Sequence, residues 1–417
     1  MSNIPGRSTA SHQHSPSLWS NHDYVLFWSG QTISSVGGSI SLLAFPLLTL
    51  TLTGSALQAS LVTAFRTLPR LFCLLFAGAL VDRWNRKWVM MICDIGRTAS
   101  VLSIPLVFLS GHLTIWQLSI NALLEGTLQS FFEVAYSSGL AQIVRSDQLS
   151  SAMAQEEVVE GITGLLGPAL SGALFSVMSG LLPFLADAIS YSVSIVTLSL
   201  IRTPFQLPRM PKRRHLLHEI CEGFVWMWRQ SVLRAMNSIN SVVALVVPGS
   251  TVVILVVARQ QHATPLMIGI IMACGGVGAV LGSLLSPFGQ RFLTVGHSIL
   301  VVRWVFALAW PLYAFMPHPL LLGVVEFIIG FADPFEDVPY FSYRLAIIPD
   351  ALRGRVISAC RLFTSLSNPL GLVITGWSLE HLGATHTILF GSCVLCVTAL
   401  IISCTASLRN AKHADGV

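Results

Sequence analysis

RTPFQLPRMPKRRHLLHEICEGFVWMWRQSV, residues 202–232, is the longest polar interruption between the apolar runs of this chain. Arg202, Arg209, Lys212, Arg213 and Arg214 crowd its first half together with Pro204, Pro208 and Pro211. Proline ends helices and the charges hold the segment in water. A spanning helix needs about 20 apolar residues. Before the interruption such runs lie near 24–51, 57–81, 88–110, 113–136, 152–178 and 180–201. After it they lie near 233–258, 264–288, 295–316, 319–340, 356–378 and 384–408. The pattern predicts an all-α membrane protein of twelve transmembrane helices in two pseudo-symmetric six-helix bundles.

Composition agrees. Hydrophobic residues make up 53% of the 417 and charged residues only 10%, where soluble domains average about 25% charged. A mean hydropathy of +0.71 leaves too few polar residues to coat soluble domains. The formal charge of +5 forms no basic stripe, so no nucleic-acid partner is expected. With alternating helices, Arg83, Arg86, Lys87, Arg145, the 202–214 cluster, Arg291, Arg353, Arg355, Arg409 and Lys412 share one side. By the positive-inside rule that side is cytoplasmic, as are both termini of a multi-pass protein of the cell membrane.

The expected division is a cytoplasmic tail at 1–22 without a cleavable signal sequence, a bundle at 23–201, a linker at 202–232, a bundle at 233–408 and a tail at 409–417. In the linker Leu216, Ile220, Phe224 and Met227 recur at helical spacing beside Glu219, Glu222 and Arg229, which predicts an amphipathic helix. The halves echo each other at an offset of roughly 205: Leu140-Ala141 against Leu345-Ala346, Ile143 against Ile348, Arg86 against Arg291. The eight cysteines lie in or beside apolar runs and read as packing residues; no metal and no cofactor is expected.

The loop segment GALVDRWNRK, residues 78–87, resembles the signature of the major facilitator superfamily: Gly78, then Asp82-Arg83, then the basic Arg86 and Lys87. GQTISSVGGSI (30–40), LTGSALQASL (52–61), LPR (68–70), DIGRT (94–98) and LRGRV (352–356) resemble segments of the branch that contains bacterial macrolide-efflux and enterobactin-export proteins. The resemblance covers residues 21–408 and implies the two-bundle major facilitator fold. It also implies a gating role for the loop motif, with Asp82 contacting the start of the eleventh helix and Asp94 as a partner for the arginines. Pro287 and Phe288 stand where Asp82 and Arg83 would map in the second half, so only the first half keeps that latch. GITGLLGPALSG, residues 161–172, resembles a motif of exporters; Gly164, Gly167 and Gly172 permit close packing and Pro168 a bend. Gly371 and Gly376 repeat it in the second half.

Ionisable side chains in hydrocarbon cost about 2.5–3.5 kcal/mol on insertion scales, so each asks for a partner or a wet cavity. Glu125 lies about 18 Å into the fourth helix at about 1.5 Å per residue, near mid-bilayer. It is the first candidate for proton coupling, followed by Glu326 and Asp333. Arg66 and Arg70, four apart, share a face of the second helix from which they can meet a carboxylate of the fourth. Glu336 and Asp337 follow Asp333, with Arg344 as a candidate partner, and Pro334 and Pro339 predict a discontinuous tenth helix. Asp187, Glu133 and Arg303 are further embedded charges read as helix packing. Phe27, Trp28, Phe131, Phe132 and Phe335 are candidates for an apolar pocket wall.

No phosphate-loop sequence and no H-E-x-x-H, Ser–Lys or G-x-S-x-G set is present, so energy is expected from an ion gradient and no enzyme is expected. The expected function is export of a small amphiphilic molecule, an antibiotic, siderophore or similar metabolite, in exchange for protons, with the lipid bilayer as the remaining partner. The alternative is a non-transporting receptor or scaffold that keeps the fold.

Overall fold

In a computed structural model of the chain, residues 17–81, 84–145, 147–178, 180–205, 216–350 and 352–405 are described. The tail 1–16, Asp82, Arg83, the basic cluster 209–214 and the segment 406–417 lie outside them. Lipid offers no hydrogen bonds, so a spanning backbone must satisfy its own, and the described residues hold helices and no strands. The first set is α1 (His22–Thr53), α2 (Ala56–Val81), α3 (Arg86–Leu109), α4 (Ile115–Ile143), α5 (Leu149–Val177) and α6 (Leu182–Leu200). The linker supplies α7 (Leu216–Arg229).

The second set is more broken. α8 (Ser231–Val243) and α9 (Ser250–Gln260) are parted around Pro248, and α10 (Pro265–Gly289) is continuous. α11 (Val295–Ala309) and α12 (Leu312–Phe315) are parted at Pro311, and α13 (Pro319–Ala332) and α14 (Pro334–Ile347) at Pro334. α15 (Arg353–Ser365), α16 (Ser367–His381) and α17 (Ala384–Cys404) complete the chain. Three of these breaks fall at prolines, which lack the donor a helix needs. The expected discontinuity of the tenth span is a single one, at Asp333-Pro334; Pro339 sits inside α14.

Among the described residues, nine helical segments are long and apolar enough to cross a membrane. Three further rods, α2, α4 and the α13–α14 pair, are interspersed among them along the chain and each carries ionisable groups. Residues in the left-handed region mark the turns of one face: Gly54 (φ 71°), Gly111 (77°), Gly180 (87°), His262 (57°) and Gly383 (81°). This tight-turn face lies opposite the face that bears Arg86, Lys87, Arg145, Arg291, Arg353 and Arg355, here the basic face. Asn85, Thr114, Thr264 and Thr294 cap the helices that follow them by accepting backbone N–H groups. Lys87 does the converse, donating to the carbonyls of Ser199 (3.1 Å) and Ile201 (2.7 Å) at the end of α6.

α1 packs on α5 and α6, α2 on α4, and α3 on α4 and α6; in the second set α10 packs on α13, and α11 on α14 and α17. The sets meet through α5 against α10 and α2 against α16. Glycines set the closest approaches. A Cβ on Gly126 of α4 would lie 2.0 Å from the carbonyl oxygen of Arg66 on α2. Gly126→Val is therefore expected to lower the melting temperature of the detergent-solubilised protein, by overpacking of about 1–3 kcal/mol, and an unchanged melt would contradict this packing. α7 docks on α15: Gly223 faces the Arg355 carbonyl, Glu222 pairs with Arg355 at 2.6 Å, and Phe224 and Trp228 pack against Phe363 in tilted and edge-to-face contacts.

The repeat survives at contact level. Gly167 meets Ser39 of α1, and its counterpart Gly371 meets Leu245, just beyond α8. Gly172 meets α10 at Pro265 and Gly269, and Gly376 meets α2 at Leu57 and Ser60. Each half therefore uses one glycine inside itself and the next against the other half.

Candidate functional site

Within the first set, five helices contribute charged or polar groups to one buried network. Arg66 of α2 donates to Glu125 of α4 at 2.7 Å and to the Gly38 carbonyl of α1 at 3.3 Å. Glu125 also accepts from the Tyr191 hydroxyl of α6 at 2.9 Å. Arg97 of α3 lies 2.6 Å from that hydroxyl, 4.0 Å from Glu125 and 3.4 Å from Asp94. Asp94 accepts from Ser194 at 2.6 Å, and Ser194 from Gln31 of α1 at 2.9 Å. Arg97 stacks over the Tyr191 ring at 3.9 Å and Arg66 over Phe45 at 5.4 Å. Asp94, Arg97, Glu125 and Tyr191 are buried.

Such a cluster is costly to desolvate, and removing one member of a buried pair costs about 3–5 kcal/mol because the other charge stays behind. It is also incompletely satisfied: Arg66 Nη1, Arg97 Nε and Glu125 Oε2 are buried and form no hydrogen bond with described residues. Spare donors and acceptors beside a cavity can take up a ligand's or water's polar groups.

That cavity holds about 350 Å³ among α1–α5. Arg66, Arg97, Arg70, Glu133, Glu160 and Gln129 line it, with serine and threonine hydroxyls between them. Arg70 pairs with Glu133 at 3.4 Å, one turn of α2 and two of α4 beyond the Arg66–Glu125 pair. Both arginines thus meet α4 as their spacing predicts, on different carboxylates. Of the aromatic wall candidates, Phe132 reaches the cavity. Phe27 is fully buried and stacks on Tyr136 at 4.9 Å, in the core of the half.

The second half places its acids differently. Glu326 on α13 accepts from the Tyr313 hydroxyl, and a Cβ on Gly275 would lie 2.7 Å from its Oε2. Asp333 is exposed at the α13–α14 break. Glu336 is buried and paired with Arg303 of α11, which also donates to Asn240 at 2.5 Å. Arg344, the expected partner of Glu336 and Asp337, stacks over Tyr340 at 4.7 Å and acts electrostatically on Asp337, while Glu336 is paired elsewhere. Burial of Glu336 turns it toward α11, away from its own helix's last turn.

Of the loop motif, Gly78 lies in α2, Arg86 begins α3, and Asp94 is held by Arg97 and Ser194. Asp82 and Arg83 lie outside the described residues. Sequence reasoning passed over Arg97, quoted only within DIGRT, although an arginine at the tenth position of an apolar run is itself a signal. It also passed over Glu160 and its neighbours Glu156 and Glu157, which lie in the first half of α5. Nothing in the serine-rich α6 singles out Tyr191.

A second charged constellation closes the tight-turn face. Arg259, ending α9, donates to the Leu50 carbonyl in the last turn of α1. Glu380 of α16 accepts the amides of Ala56 (2.9 Å) and Leu57 (3.4 Å) at the start of α2. A cation on a helix C-terminus and an anion on an N-terminus both complement the helix dipoles. Charge-assisted hydrogen bonds contribute about 1.5–3 kcal/mol each, so Arg259→Ala with Glu380→Ala is expected to part the halves here. Labelling of Ser60→Cys by an impermeant thiol reagent, in an otherwise cysteine-free chain, should rise; unchanged labelling would show the bonds to be incidental.

Helical rods in two sets, buried charges in both and a polar cavity beside those of the first are an arrangement suited to a membrane transporter. The chain matches the family described as transmembrane secretion effectors over residues 15–417 and belongs to it, within the major facilitator superfamily. It is 28% identical over 369 residues to the multidrug efflux pump Tap of Mycolicibacterium fortuitum, across 85% of this chain and 89% of that one. It is 23% identical over 389 residues to macrolide efflux protein A of Streptococcus pyogenes, across 90% and 94%. The fold is shared with the nucleoside transporter NupG (TM-score 0.71, 13% identity, 94% of this chain and 100% of that one). A bacterial homologue of the iron transporter ferroportin in the inward-facing state has a TM-score of 0.71 at 14% identity, across 92% and 100%.

Proposed function

We propose that this chain exports a small amphiphilic molecule across the cell membrane by proton antiport, with residues 23–201 and 233–408 rocking about the cavity as two bodies. The observation that carries the reading is the Arg66–Glu125 pair, sealed in the first half yet bordering a polar cavity. A carboxylate in that position can exchange a guanidinium for a proton or a substrate cation as the halves move. Relatives named for multidrug and macrolide efflux support the outward direction.

With the basic face cytoplasmic by the positive-inside rule, both termini are inside and the sealed tight-turn face is external. The conformation is then inward-facing. Efflux of a panel of macrolides and fluorescent cationic dyes from cells expressing the chain, with and without a protonophore, tests the proposal. Protonophore-sensitive efflux of any member supports it; efflux indifferent to protonophore would exclude proton coupling, and no efflux from a membrane-inserted chain would turn the reading toward a narrower metabolite.

A further inference from the structure

We propose that Asp187 of α6, until now read as a packing residue, is the group that holds the exchangeable proton in this conformation, while Glu125 and Asp94 are the ionised partners of the two arginines. The inference deepens the proton-antiport reading and rests on it for its role, though not for its test.

Charge balance carries the argument. The network holds two guanidiniums, Arg66 and Arg97, and three carboxyls, Asp94, Glu125 and Asp187. Asp94 and Glu125 each have a guanidinium within 4.0 Å. Asp187 is fully buried and has none in that range among the described residues. Its polar neighbours are hydroxyls: Ser41 of α1 donates to Oδ2, and Ser190 lies 3.4 Å from Oδ1 but is better placed, at 2.7 Å, on the Asp187 carbonyl. A buried anion with one good donor and no counter-ion is the arrangement that desolvation penalises most. Two cations against three anions leave one surplus negative charge, and protonating the unpaired member removes it.

The groups that act on Asp187 can be named helix by helix. From α3 comes Arg97, from α4 Glu125, from α2 Arg66, and from α6 itself Tyr191. α1 offers Gly37 and Ser41, neither ionisable, and the carboxyls of α5, Glu156, Glu157 and Glu160, lie toward its basic-face end. Gly37 lets α6 press this carboxyl against the α1 backbone, since a Cβ there would stand 2.8 Å from Oδ1. The next positions round α1, Gly38, Ser39 and Leu42, line the cavity. Asp187 is thus one helix wall away from where a substrate sits. A cation arriving in the cavity and a proton leaving Asp187 leave the network's charge unchanged, which couples the two movements.

The proton is read directly, without any substrate, by infrared spectroscopy of the full chain in proteoliposomes at neutral pH. The expected result is a protonated-carboxyl band that shifts when the aspartate carboxyls carry carbon-13 and is lost in Asp187→Asn. It should also be lost in Glu125→Gln, where Asp187 must ionise to balance the freed guanidinium. If Asp187→Asn fails to fold, Ser41→Ala serves: removal of its hydroxyl donor should move the same band to higher frequency. A band that survives Asp187→Asn, ignores the aspartate label, remains in Glu125→Gln or is unmoved in Ser41→Ala overturns the assignment. A chain that exports no compound of the panel would turn the transport reading toward a narrower metabolite or the non-transporting scaffold and leave this result standing by itself.

Discussion

Glu125→Gln is expected to reduce protonophore-sensitive efflux to the level of cells lacking the protein, while the variant still inserts, elutes as a single species and melts close to the parent. Loss of transport follows from geometry: Glu125 bridges Arg66 and Tyr191 and lies within reach of Arg97, so all three lose their common acceptor charge. Retention of the fold is less obvious, because an unpaired buried guanidinium costs about 3–5 kcal/mol. The charge count resolves it. With Glu125 neutral, two arginines face Asp94 and Asp187, and ionisation of Asp187 restores neutrality. Asp187→Asn alone is also tolerated, since it fixes the neutral form. The double variant has no such recourse: two guanidiniums face Asp94 alone.

The melts of the four proteins therefore should not add. Each single substitution costs little and the pair costs about 3–5 kcal/mol, a coupling well beyond the few tenths expected of independent sites. Additive melts across this cycle would refute the shared charge balance, and efflux surviving in Glu125→Gln would remove Glu125 from the coupling machinery.

Much of this arrangement is legible from residues alone because hydrocarbon makes polarity conspicuous. Apolar runs of spanning length and the basic linker give the order of helices. The four-residue spacing of Arg66 and Arg70 places both toward α4, where they find Glu125 and Glu133. What a sequence does not contain is the rotation of one helix against another. Glu336 could meet Arg344 on its own helix or Arg303 on α11, and only the packed structure selects Arg303. Tyr191 joins the network through α6 packing on α1 and α3, a relation spread over many contacts. Lys87 was legible as a charge of the loop signature, but its grip on the end of α6 depends on where two chain segments far apart in sequence come to lie. The glycines of α5 are the clearest case, for their spacing announces close packing without saying which of them is packed.

Gly172→Val is expected to abolish this conformation and transport with it, whereas Gly164→Val, in the same motif, is expected to leave both largely intact. On α5, a Cβ at Gly172 would stand 2.4 Å from the Pro265 carbonyl oxygen and 2.9 Å from Gly269 Cα, both backbone atoms that no rotamer change can move. At Gly164 the same atom meets nothing within 4 Å. α5 and α10 touch backbone to backbone at the tight-turn end and remain in contact down to Gly161 and Val280. Valine at 172 thus forces the halves apart where they now seal, and the protein is held open to the tight-turn face. Spin labels on the tight-turn ends of α5 and α10 should report only the longer separation in Gly172→Val and the parent's distribution in Gly164→Val. The repeat extends the expectation: Gly376→Val, which would drive a side chain into Ser60 and Leu57 of α2, should open the same face from its other seam. Equal effects at 164 and 172 would mean that these glycines serve helix flexibility rather than closure, since flexibility is lost alike at either position and a steric seal at only one.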